Sequence, residues 1–173
     1  MNPKSVSSLV HLEGAKTSLR QATPDDIPSI LALEREVPAL VHWSEKAYQE
    51  VFQPGAPDRI LSVIEEEDDG ALRAFLIARF SGSECELENL VVAAAHRRRG
   101  FASQLLQSLI AAANERNVER ILLEVRESNM AARALYEKLG FQISGRRKAY
   151  YSRPQEDALM FALNCTPSSA PKR

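Results

Sequence analysis

The tightest constraint on the fold lies in residues 88–103. Residues 90–95 are apolar, with valines at 91 and 92, and read as a buried strand. The run stops at Arg97, Arg98, Arg99 and Gly100. Ala102, Leu105, Leu106, Leu109, Ile110 and Ala113 then recur at helical spacing, which predicts an amphipathic helix over about 99–116. A strand must therefore hand over to a helix through a short loop that carries one glycine and three cations. The first amides of a helix lack internal partners and carry partial positive charge. Such a turn receives a phosphate without needing any particular side chain. Gly100 permits close approach to the backbone, Ala102 keeps the first turn small, and three arginines suit a ligand with several phosphates. The other reading of the same residues is an ordinary strand–turn–helix with a solvated basic turn. No Gly-Lys-Ser/Thr follows, so the loop is not a P-loop, and it is not a GxGxxG turn.

Around this centre the chain alternates between strand and helix patterns. Residues 17–22 read as a first strand. Thr23-Pro24-Asp25-Asp26 starts a helix whose apolar stripe is Ile27, Ile30, Leu31 and Leu33, and Pro38 stops it. Ser44 caps a second short helix that runs to about Phe52, with Trp43 placed as a hydrophobic staple. Residues 54–57 are a turn. Strand-like runs at 59–64, 71–80 and 84–92, joined by turns at 65–70 and 81–83, predict an antiparallel meander. The helix ending at Asn117 is followed by a buried strand at 120–125. A helix over 129–139 is closed by Gly140. Strands at 141–151 and 157–163 turn about Pro154. The order is β-α-α-β-β-β-α-β-α-β-β. It predicts an α+β fold, a mixed and mostly antiparallel sheet of about seven strands with helices on both faces. Residues 1–16 read as a loose leader, 17–163 as one domain, and 164–173 as a disordered tail.

Composition excludes several classes of function. The 173 residues carry 22 basic and 23 acidic side chains, so nothing global points to a nucleic-acid partner. No apolar run spans a membrane, and the first twenty residues lack a signal-peptide core. His11, His42 and His96 show no metal-ligand spacing, so no metal is expected. Cys85 and Cys165 stand far apart, which fits a reduced, cytoplasmic setting.

Arg97-x-x-Gly100-x-Ala102 resembles the acyl-coenzyme A pyrophosphate loop of the GCN5-related N-acetyltransferase (GNAT) superfamily. A second block sharpens this: Leu122-Leu-Glu-Val-Arg126, Ser128-Asn129, and Ala134-Leu-Tyr-Glu-Lys-Leu-Gly-Phe141. Together the blocks resemble the bacterial ribosomal-protein alanine N-acetyltransferases (RimI-type). The likeness takes in Trp43-Ser44-Glu45-Lys46, Arg146-Arg147, Tyr150-Tyr151 and Glu156-Asp157-Ala158. One departure stands out. The family carries an acidic residue and a proline just after the cofactor strand, where this chain has Ala93-Ala94.

The resemblance implies a GNAT fold and acetyl-coenzyme A as donor, with coenzyme A as product. It implies that the main chain of Leu90, Val91 and Val92 pairs with the pantetheine arm. Arg97, Arg98, Arg99, Gly100, Phe101, Ala102 and Ser103 would wrap the pyrophosphate. Asn129 would bond the arm, or serve only as a helix cap. Glu124 would be the base, through water, with Glu86 or Glu88 as rivals on the preceding strand. The plainer reading of Glu124 is a strand-end carboxylate that reaches solvent. Tyr136 would protonate the leaving thiolate. The plainer reading makes it core filler on the stripe of Ala132, Leu135 and Leu139. Trp43, Tyr150 and Tyr151 would wall a peptide groove, or merely pack. The expected acceptor is a protein N-terminal α-amine, of a ribosomal protein beginning with alanine. At pH 7 an α-amine needs roughly 1 kcal/mol to deprotonate and a lysine roughly 4–5 kcal/mol, so an N-terminus asks less of the base. Two alternatives are an acetyltransferase of small amines and a non-catalytic acyl-coenzyme A-binding module. A small amine calls for an acidic pocket, and residues 65–69 are the only dense acidic run.

Overall fold

The computed structural model describes residues 16–37 and 42–165. Strands β1 (Thr17–Gln21), β2 (Arg59–Glu66), β3 (Leu72–Ser81) and β4 (Glu84–Val92) form an antiparallel meander. β5 (Arg120–Arg126) runs parallel to β4, and the hairpin of β6 (Gln142–Ser152) and β7 (Gln155–Asn164) closes the sheet. The strand order is β1-β2-β3-β4-β5-β7-β6, a mixed and mostly antiparallel sheet of seven strands.

Alternation along the central strands feeds two cores. Ile60, Ile64, Leu76, Leu87, Ile121 and Leu123 face α3 (Phe101–Glu115) and α4 (Met130–Lys138). Leu61, Val63, Phe75, Ile77 and Val91 face α1 (Ile27–Arg35) and α2 (Glu45–Val51). The central strands are covered on both sides, so β2 and β3 are buried almost throughout. The stripe on α3 is buried at Leu105, Leu106 and Leu109, each stabilising by about 2–3 kcal/mol. α2 begins as its sequence predicts. Ser44 Oγ accepts from the Ala47 amide at 3.1 Å, and Trp43 packs on Tyr48 with ring centroids 5.3 Å apart.

Several boundaries differ from the sequence reading. Residues 24–26 form a 3-10 turn, and α1 proper begins at Ile27. β4 spans Glu84–Val92 as the 84–92 run predicts, and the apolar residues 93–95 do not prolong it. The Ala93 amide still reaches Arg73 O, and residues 94–96 then coil into a 3-10 turn. α3 begins at Phe101, not Arg99, because Arg98 and Gly100 adopt left-handed backbone with φ of 64° and 86°. β7 extends to both sides of the predicted 157–163. The stop at Pro38, most of the leader and residues 166–173 lie outside the described residues. Among the described residues, no helix is long and apolar enough to cross a membrane.

Candidate active site

β4 and β5 are paired at only three positions: Glu84 with Arg120, Cys85 with Ile121, and Glu86 with Leu122. Both strands continue past that point, to Val92 and Arg126, so they part. Glu88 marks the place. Against β3, Leu87 pairs with Ala78 and Asn89 with Ile77, which leaves Glu88 as the extra residue of a bulge. A bulge bends its strand and sharpens the twist. The side of β4 that faces away from β3 is then without a strand partner from Leu87 onward. An open strand edge of this kind accepts an extended group through main-chain hydrogen bonds.

A cavity of about 640 Å³ opens along that edge. Its walls are Leu90, Val91 and Val92 of β4, the turn at Arg97, Arg98 and Gly100, and Phe101, Ala102 and Ser103 of α3. Asn129, Ala132, Leu135 and Tyr136 close the opposite side. No side chain caps the start of α3, so its first amides stay available at the end of a 15-residue helix. The Gly100 conformation turns the chain so that this end faces the cavity. An added Cβ there would meet nothing within 4 Å, so glycine is needed for its φ and not for space. Arg99 departs from the sequence reading and does not line the cavity. Its guanidinium stacks over Phe101 at 5.2 Å, lies 2.7 Å from His96 Nδ1 and 3.7 Å from the Glu66 carboxylate. His96 and the Phe101 ring hold it, with the β2 carboxylate farther off. The Ala93-Ala94 departure also has a structural answer. The Ala94 amide, a donor that a proline would lack, gives its hydrogen to Glu36 Oε2 at 3.0 Å. The open edge, the free helix start and two arginines at the mouth fit an acyl-coenzyme A.

A second cavity, of about 180 Å³, lies where the strands part. It brings together Glu88, Glu124, Asn129, Tyr136 and Tyr151, which sequence separation keeps up to 63 positions apart (151 less 88). Alternation along β5 puts Leu123 and Val125 in the core and Glu124 on the other face, half-buried. The strand is thus buried on one face only. Arg147 Nε pairs with Glu124 Oε1, and the Glu124 carboxylate beside Tyr150 holds that phenol above its ordinary range. Tyr136 is 6% exposed, held between Phe141 and Phe161, and burial pushes its hydroxyl up to about 12. It serves the core and still reaches both cavities. Asn129 caps α4, its Oδ1 accepting from the Ala132 amide at 3.1 Å, and it also lines both cavities.

The rival carboxylates are committed elsewhere. Arg59 grips Glu88 with two hydrogen bonds of 2.7 and 3.0 Å, and Glu86 pairs with Arg79 at 2.6 Å. Glu86 lines a third cavity of about 250 Å³ on the far side of Glu124, with Arg79, Ser144 and Arg147. Trp43 and Tyr150 line none of the three cavities. Tyr151 faces the second, with the Arg126 guanidinium 3.9 Å above its ring.

Sequence reasoning missed Glu34, Tyr48 and Asn89. Glu34 is 1% exposed and accepts from Tyr48 and Asn89 at 2.8 and 2.7 Å. Its position four residues after Ile30 put it on the buried face of α1, and that spacing was the available signal.

The sequence profile of the acetyltransferase (GNAT) family matches residues 27–141. The chain is 36% identical over 140 residues to the ribosomal protein bS18-alanine N-acetyltransferase of Escherichia coli (strain K12), covering 80% of this chain and 90% of that protein. It is 38% identical over 140 residues to the enzyme of the same name from Salmonella typhimurium, with the same coverage. Its structure is similar to the crystal structure of the ribosomal-protein-S18-alanine N-acetyltransferase from Escherichia coli, with a TM-score of 0.77 and 30% identity over 91% of this chain and 99% of that one. The open strand edge, the arginine turn and these matches agree: the chain belongs to the acetyltransferase (GNAT) family and is an N-acetyltransferase that uses acetyl-coenzyme A.

Proposed function

We propose that this enzyme, through a domain of residues 17–163, acetylates the N-terminal α-amine of a protein in the cytoplasm, a ribosomal protein beginning with alanine. The observation that carries the reading is the small cavity where β4 and β5 part, which joins Glu124 and Tyr136 to the donor cavity. The names of the relatives support the acceptor class.

Acetyl-coenzyme A supplies the activated acyl carbon as a thioester. The main chain of Leu90, Val91 and Val92 holds its arm. Arg97, Arg98 and the first amides of α3 hold its diphosphate. Glu124 takes a proton from the acceptor ammonium through water, which frees the nitrogen lone pair. The N–C bond forms as the C–S bond breaks, both substrates being bound together. Tyr136 gives its proton to the departing sulfur, and the second proton that the new amide nitrogen sheds passes through water to the Tyr136 oxygen, which restores the phenol. A phenol is protonated at neutral pH in any case, and burial pushes Tyr136 further that way, so its proton is present when the thiolate departs. Tyr151, Tyr150 and Trp43 stand on the acceptor side. Glu86 and Glu88 brace that side through Arg79 and Arg59.

The acidic run does not favour a small-amine acceptor. Glu65 pairs with Arg20, and Glu66 and Asp69 with Arg73, so its charge is already answered. None of these carboxylates lines the three cavities. The test is mass spectrometry after incubation with acetyl-coenzyme A and a library of N-terminal peptides. Acetyl groups on the α-amine of alanine-first peptides support the proposal. Acetyl groups confined to lysine side chains, or to polyamines, overturn it.

A further inference from the structure

A carboxyl group sits buried at the junction of α1, α2 and β4, with no ion-pair partner among the described residues. Glu34 is 1% exposed. Three neutral donors compensate it: Tyr48 Oη to Oε1 at 2.8 Å, Asn89 Nδ2 to Oε1 at 2.7 Å, and the Trp43 amide to Oε2 at 3.2 Å. A buried carboxyl group is costly unless its oxygens are well bonded, and an apolar side chain at position 34, on the buried face it shares with Ile30 and Leu33, would avoid that cost. If fastening two helices were the whole role, Asn89 could end its contacts at Glu34. It does not. Asn89 Oδ1 accepts from the Leu90 amide at 2.9 Å. Leu90 lines both the donor cavity and the cavity of Glu124. One carboxylate is therefore two hydrogen bonds away from the donor edge of β4. It is also directly bonded to the segment that carries Trp43 and α2.

We propose that Glu34 is a positioning residue that couples the donor side of the active site to the acceptor side. Through Asn89 it sets the Leu90 peptide unit on the open edge of β4. Through the Trp43 amide and Tyr48 it sets the segment that leads into α2. The inference rests on the reading of Leu90 as part of the donor strand and of the cavity of Glu124 as the acceptor side, which Trp43 borders only through Arg59, the partner of Glu88. Tyr48 and Asn89 bond the same oxygen, Oε1, while the Trp43 amide bonds Oε2. A change at Tyr48 alters how that oxygen is shared, and so alters the hold on Asn89.

The test measures coenzyme A affinity by calorimetry in the parent chain, Tyr48→Phe, Glu34→Gln and the double variant, with thermal melts beside them. Tyr48 lines neither the donor cavity nor the cavity of Glu124. Coupling predicts that Tyr48→Phe weakens coenzyme A binding by about 3- to 10-fold, and that the same change has less than about a 2-fold effect once Glu34 is Gln. A Tyr48→Phe chain that melts lower but binds coenzyme A as the parent does would overturn the proposal. If Glu34→Gln does not fold, the affinity of Tyr48→Phe alone decides. If the parent acetylates no peptide, the acceptor reading fails, while the coenzyme A affinities still decide the coupling.

Discussion

Arg147 Nε lies 2.9 Å from Glu124 Oε1, across the boundary between the β6–β7 hairpin and the central sheet. Arg147 stands just before the irregular stretch of β6, where pairing with β7 resumes only at Tyr151. The arginine is about half exposed and the glutamate is not, so water screens the pair and an incoming ammonium can replace the guanidinium. Glu124→Gln keeps the shape of the side chain and removes its basicity. We expect kcat to fall by about 10²- to 10³-fold, with coenzyme A affinity within about 2-fold of the parent. Steady-state kinetics and calorimetry check this. Retained turnover would transfer the base to Glu88 or Glu86.

Tyr136→Phe deletes one hydroxyl and leaves the ring between Phe141 and Phe161. The core contribution of the side chain is kept, and Tm is expected to move by less than about 3 °C. The loss of the proton donor is expected to lower kcat by about 10²-fold. A variant that melts normally and turns over normally would make Tyr136 a packing residue alone.

Gly100→Ala places a side chain at a φ of 86°. The space is open, so the effect is backbone strain of about 1–2 kcal/mol and not a clash. The turn relieves that strain by swinging the start of α3 away from the donor cavity. Weaker coenzyme A binding, by about 5- to 10-fold, is expected with little change at saturating donor. Calorimetry against the kinetics at high acetyl-coenzyme A separates the two.

Buried protons predict the alkaline limit of stability. Cys85 is fully buried, and burial pushes its thiol from 9.0 up to about 12. Tyr136 is pushed from 10.0 up to about 12 by the same cause. Between these values the unfolded chain has lost protons that the folded chain still holds. The unfolded state then binds fewer protons, and stability falls as pH rises. At about 1.4 kcal/mol per unit for each group, unfolding free energy at pH 11 should be about 2–4 kcal/mol below that at pH 8. Denaturant titrations at the two pH values measure it, and equal stability would contradict the burial of these groups.

The chain order of every strand and helix was legible because each rests on local signals. The α3 stripe, the cap at Ser44 and the stop at Gly140 are neighbours' effects, decided within a turn or two of chain. Boundaries slipped where φ changed sign: α3 began late because Arg98 and Gly100 are left-handed. That the turn at residues 97–103 lines one cavity follows from the same local signals, with Arg99 the exception. Its guanidinium turns to His96 and Phe101 nearby in the chain, with Glu66 of β2 at 3.7 Å.

By itself the amino-acid order determined which segments are strands and helices, and that a glycine-bearing arginine turn joins β4 to α3. Period and turn chemistry act over a few residues, and they suffice for that. Only the tertiary structure decided that β4 and β5 part after three pairs, and that Glu124 and Tyr136 meet in the gap. It also decided that Glu34 and Asn89 touch across 55 positions. Where two strands stop pairing is set by the bulge at Glu88 and by the helices packed on either side. Those are contacts between distant segments, and no local pattern encodes them.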